Sequence, residues 1–106
     1  MALSRWDIKT HDFAVVRHFA EKDSQDTWAL LGGFPEIPEA NFPLGKKGCD
    51  NRIAHLLSNH FDVINPSKEI ITYHYHISGI RNYAPQGTNE DLVAPPYKFL
   101  DCDSLP

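Results

Sequence analysis

The chain has 106 residues, 42% of them hydrophobic and 23% charged, with a formal net charge of -4. That length suits one domain with one core and is short for an enzyme that binds a nucleotide and a second substrate unaided. An acidic balance, in which Lys46 and Lys47 form the sole adjacent basic pair, disfavours nucleic-acid binding.

No segment approaches the length of a transmembrane span, and the amino terminus lacks the apolar run of a signal peptide. The expectation is a soluble, cytoplasmic chain. Its two cysteines, Cys49 and Cys102, do not make a disulfide framework and are expected as free thiols.

In chain order, residues 2–9 read as a short strand in which Leu3, Arg5 and Asp7 alternate with Ser4, Trp6 and Ile8. Residues 13–19 are an apolar run that suits a buried strand and is equally the length of one or two helical turns. Residues 26–34 give another strand, which Gly32 and Gly33 should end. Pro35, Pro38 and Pro43 then exclude a continuous helix and disfavour a central strand, so residues 35–47 read as a Pro-rich loop.

The best helix follows. From Asn51 onward Ile53, Leu56, Leu57 and Phe61 recur at helical spacing, leaving Arg52, His55, Ser58 and Asn59 outside. Gly48 and Asp50 stand where the first unpartnered backbone amides of that helix need help. After a turn at Asn65-Pro66-Ser67-Lys68, residues 69–77 are rich in β-branched and aromatic side chains and read as a strand. Alternation puts Ile70, Thr72, His74 and His76 on one face and Tyr73 and Tyr75 on the other. Residues 84–106 form an irregular tail, in which Tyr97 to Leu100 is a last short strand or an apolar anchor. The expected fold is α/β or α+β. It is a single domain over residues 1–106, with a small mixed sheet from the segments at Asp26, Asp62 and Glu69 and one main helix on its face.

Few groups carry chemistry. His74 and His76 point the same way and offer two imidazoles to one divalent ion, although a strand face of satisfied histidines has the same pattern. Asp26 and Asp50 lie near loop or helix ends, where catalytic groups are mounted and where carboxylates also serve as caps. Cys49 precedes a helix, a place that lowers a thiol's pKa, but a small buried residue fits there too. Trp28 and the tyrosines can stack on sugars or fill the core.

Three segments in this order, Leu3-Ser-Arg-Trp-Asp7, Ser24-Gln-Asp-Thr-Trp28 and Leu44-Gly-Lys-Lys-Gly-Cys-Asp-Asn-Arg-Ile53, resemble the carboxy-terminal half of a family of GT-A-like glycosyltransferases. The match continues through Asn65-Pro-Ser67, Thr72-Tyr-His-Tyr-His76 and Arg81-Asn-Tyr83. The resemblance implies transfer of a sugar from a nucleotide diphosphate to a carbohydrate acceptor, with a manganese or magnesium ion bridging the donor phosphates. It implies Asp50 and Asp26 as catalytic, His74 and His76 as metal ligands, and Arg81, Lys47, Trp28 and Asn51 as contacts to acceptor or phosphate. The family's amino-terminal donor half, which ends in an Asp-x-Asp motif, is not matched, and Asp101-Cys-Asp103 has that pattern outside the expected context, so the expected partner is that missing half or a second copy of the chain. Two other functions compete with this one: a non-catalytic metal- or carbohydrate-binding module on the His74/His76 face, and a protein-interaction domain.

Overall fold

Ser4 divides the first expected strand in two. In the computed structural model, which describes residues 1–75 and 92–103, the elements in order are β1 (Ala2–Leu3), β2 (Trp6–Ile8), β3 (Val16–His18), β4 (Thr27–Trp28), a 3-10 turn (Pro38–Ala40), α1 (Cys49–Ser58) and β5 (Tyr73–His74). β1 pairs antiparallel with β4, Ala2 opposite Trp28 and Leu3 opposite Thr27. β2 is the centre of a second sheet, with β3 antiparallel on one side and β5 parallel on the other. The backbone N–H of Ser4 donates instead to the Asn65 side chain, which takes it out of either ladder. The architecture is therefore mixed α/β, with small sheets and one main helix.

The strand content differs from the expected sheet in a specific way. The segments at Asp26 and Glu69 lie in different sheets, and the segment at Asp62 is in neither, although the Ile64 carbonyl accepts the Ala2 N–H. Each segment finds a different edge of the divided first strand. Residues 13–19 supply only Val16–His18, because the chain turns at Phe13, whose φ of 63° lies in the left-handed region.

The helix begins two residues before the expected Asn51, so that Cys49 and Asp50 lie in its first turn, and it ends at Ser58, before Phe61. Gly48 precedes it with φ 83°, and a Cβ there would stand 2.9 Å from the Tyr97 hydroxyl oxygen, so both backbone and space require glycine. Leu56 and Leu57 are buried as expected, whereas Ile53 and Phe61 are half-buried, and Ala54 and Asn51 join the buried face. Ala54 meets Ala2 and Leu100 in a core flanked by Trp28 and Val63. Of the two readings of Tyr97 to Leu100, the anchor is the one observed. Leu100 enters the core while Lys98 N–H donates to the Asn51 carbonyl and Leu100 N–H to the Lys22 carbonyl.

A polar hub lies beside this small core. Asn65 is 1% exposed, and its side-chain oxygen accepts the Ser4 N–H at 2.9 Å. Its amide donates to Ser4 Oγ at 2.9 Å and to the Leu100 carbonyl at 3.1 Å. Two residues on, the Ser67 carbonyl accepts the indole N–H of Trp6 at 2.7 Å, and Ser67 Oγ shares a 2.9 Å bond with His18 Nε2. A stretch expected only as a turn thus joins both ends of the described chain. Among the described residues no helix is long and apolar enough to cross a membrane.

Candidate functional site

Period-two alternation along β2 sends Trp6 and Ile8 to one side and Arg5, Asp7 and Lys9 to the other. The parallel register then sets His74 beside Asp7. His74 Nδ1 donates to Asp7 Oδ1 at 3.1 Å, and the same oxygen accepts from Arg5 Nε at 2.7 Å. Lys9 Nζ stands 3.6 Å from the other oxygen. Arg5 also reaches Asp26, its Nη1 donating to Oδ2 at 3.1 Å, while its guanidinium lies 4.2 Å over the Phe19 ring. One arginine therefore ties β2 to the segment before β4.

That segment leads on to the helix. Asp50, in the first turn of α1, accepts Gln25 N–H on Oδ2 at 3.1 Å and Asn51 N–H on Oδ1 at 3.0 Å. Asn51 is buried and donates from its amide to the Asp23 carbonyl at 2.9 Å. The two residues hold the loop before β4 against the helix start, where unpartnered amides favour a carboxylate. A continuous path results, from His74 through Asp7 and Arg5 to Asp26, and one peptide further through Gln25 to Asp50.

Two carboxylates of the path, Asp7 and Asp50, are shifted in opposite directions. Burial would raise the Asp7 pKa, but the hydrogen bonds from Arg5 and His74 and the charges of Arg5 and Lys9 outweigh it and hold the carboxyl below its ordinary value. Burial pushes Asp50 up, aided by the charge of Asp26, against the opposing N–H groups of Gln25 and Asn51. Burial also raises the Cys49 thiol, which disfavours the thiolate that a nucleophile needs at the position where the sequence allowed one.

These signs govern stability against pH. Asp7 binds its proton more weakly folded than unfolded, so its contribution is complete above the ordinary carboxylate value and is lost as pH falls through the depressed one. Asp50 binds its proton more tightly folded, so its contribution declines as pH rises from the ordinary value through the raised one. In urea titrations, the stability gap between the natural chain and Asp7→Asn is expected to be widest near about pH 7 and to close toward about pH 2. A gap that stays constant across that range would contradict this placement of Asp7.

Of the expected metal ligands, His74 has its Nδ1 held by a carboxylate, the way ligating histidines are oriented. Among the described residues no three His, Cys, Asp or Glu side chains gather so as to hold an ion, so His74 would need ligands from beyond them. His76 and Arg81 lie outside the described residues. Lys47 is exposed, and its backbone bridges to Leu92 and accepts the Val93 N–H. Trp28 stands apart from the charged path, in an apolar cleft of about 370 Å³ that Leu57, Phe61 and Val63 also line.

The path thus brings together Asp26, Asp50, Asn51 and His74. Arg5 and Asp7, which connect them, were not among the expected site residues. Their alternation on a strand was the available signal, since an arginine and an aspartate two apart share a face. Compared with protein-family models, with curated proteins and with solved structures, the chain matches none of them.

Proposed function

We propose that this chain is the acceptor-side half of a GT-A-like glycosyltransferase and acts with a donor-binding half, or as an oligomer, to move a sugar from a nucleotide diphosphate to a carbohydrate acceptor. The observation that carries the reading is the convergence of the segments that resemble the family. Arg5 and Asp7 from the first bind Asp26 from the second and His74 from the fifth. Asp50 from the third holds Gln25, and Asn65 and Ser67 from the fourth hold Ser4 and Trp6. Segments far apart in the chain share one network, which is what residues of a common site require.

Asp50 is the acid-base group of this reading. Each of its oxygens accepts one backbone N–H and keeps a further lone pair, and a pKa raised by burial makes it a better proton acceptor than an ordinary carboxylate. As the acceptor oxygen bonds to the anomeric carbon, the bond from that carbon to the diphosphate breaks and the hydroxyl proton passes to Asp50. In this reading Asp26, which Arg5 holds, would bind the acceptor, and Lys47 and Arg81 would offer positive charge to phosphate. A manganese or magnesium ion, with His74 and His76 as this chain's ligands, would offset charge on the leaving diphosphate when bound.

The bond from His74 to Asp7 favours a second reading, a metal-binding module without catalysis. The two separate on nucleoside diphosphate release from uridine or guanosine diphosphate sugars by the chain joined to its donor half. Transfer predicts release that Asp50→Asn abolishes. Release indifferent to that change would sink the catalytic role.

A further inference from the structure

Away from the charged path, the tip of the β2–β3 hairpin and the end of β5 present two aromatic rings to solvent. Phe13 holds a left-handed backbone, φ 63°, a conformation that costs a residue with a side chain roughly 1–2 kcal/mol. The turn around it is closed by Lys9 N–H to the Val15 carbonyl, Val15 N–H to Thr10 Oγ1 and Ala14 N–H to Asp12 Oδ1. Its result is a phenyl ring held in solvent. Phe13 is 54% exposed.

Beside it stands Tyr75, one residue past β5 and 55% exposed. The two rings lie within 24° of parallel with centroids 5.8 Å apart, an offset arrangement. The Tyr75 hydroxyl shares a 2.8 Å bond with His11 Nδ1, which fixes its ring. His74 turns to Asp7 while Tyr75 turns to His11 and Phe13, so the pair occupies the opposite side of the strand from the charged path.

We infer that Phe13 and Tyr75, rimmed by His11 and Asp12, form a carbohydrate-binding platform whose ligand is a pyranose ring. The C–H face of such a ring is apolar and carries slight positive charge, and it complements the negative face of an aromatic ring. Its hydroxyls need donors and acceptors at the edge, which the imidazole of His11 and the carboxylate of Asp12 supply. Rings already fixed by the turn and by the hydroxyl bond lose little freedom on binding, which favours a weak but specific contact. The platform uses none of the catalytic, acceptor-binding or metal-binding residues of the transferase reading, although Tyr75 lies in the Thr72 to His76 segment.

The test is a chemical-shift titration of the full chain with the methyl pyranosides of glucose, galactose, mannose and N-acetylglucosamine at millimolar concentration, with glycerol as control. At least one pyranoside is expected to shift the ring resonances of Phe13 and Tyr75 while glycerol does not. Phe13→Ala should weaken that binding about tenfold, and Tyr75→Phe, which keeps the ring and drops the bond to His11, should weaken it less. Three results would each overturn the inference: no pyranoside shifting those rings in the folded natural chain, glycerol shifting them equally, or Phe13→Ala binding as tightly as the natural chain. None depends on whether the chain transfers sugar, so a failed transfer assay leaves the platform standing.

Discussion

Replacing Asn65 by alanine is expected to cost about 3–5 kcal/mol of unfolding free energy. The side chain is almost fully buried and serves Ser4 and Leu100 at once. Alanine would leave the Ser4 N–H and the Leu100 carbonyl without those partners, at about 1–3 kcal/mol for each group left unsatisfied. It would also open a void where the amide was. In a domain whose whole stability is of order 5–15 kcal/mol, such a loss is large. Thermal and urea unfolding would measure it, and a change below about 0.5 kcal/mol would show that the hub does not hold the chain ends together. Asn65→Asp keeps the shape but removes the two donated bonds and buries a charge, so it should be no milder than alanine.

The second large effect is on catalysis. Asp50→Asn should lower sugar transfer by about 10²–10⁴-fold, the range that a positioned general base supplies, because a carboxamide does not accept the acceptor's proton. The fold should survive. The amide oxygen can still accept one of the two N–H groups that Asp50 now takes from Gln25 and Asn51, while its NH₂ meets the other, for a loss of about 1–3 kcal/mol. Relief of a half-buried charge offsets part of that loss. Initial rates set against melting temperature separate the two effects. A variant that unfolds with the natural chain's midpoint yet transfers at its full rate would leave Asp50 as a residue of the helix start only.

How much of this was readable before the structure depends on whether a residue's partner is near it in sequence. The helix was legible because Leu56 and Leu57 repeat within one turn and Gly48 marks the entry, and these are local signals. The strand after Ser67 was legible in composition, although β5 spans only Tyr73–His74. The hub was not. Asn-Pro-Ser has the composition of an exposed turn, and nothing local says that its amide will meet Ser4, 61 residues away, and Leu100, 35 residues away. The same holds for the first strand, which alternates evenly through Ser4 and is broken there by that distant side chain.

The site was half legible for the same reason. Asp50 and His74 stood out by their place on a helix start and a strand face, and both lie on the charged path. Arg5 and Asp7 looked like an ordinary exposed strand edge, because their meaning depends on the parallel register with β5 and on the reach of one guanidinium to Asp26. Phe13 read as one member of an apolar run. Its left-handed backbone follows from hairpin closure, which a run of apolar residues does not encode.

The most direct measurement is calorimetric titration of the purified chain with manganese, alone and with uridine or guanosine diphosphate sugars present. Manganese-dependent binding of a nucleotide sugar, lost in His74→Ala, is the result that a transferase half with a ligand at His74 predicts. Heat from neither manganese nor nucleotide sugar, in a chain that unfolds cooperatively, would contradict a donor site carried by this chain alone or as an oligomer.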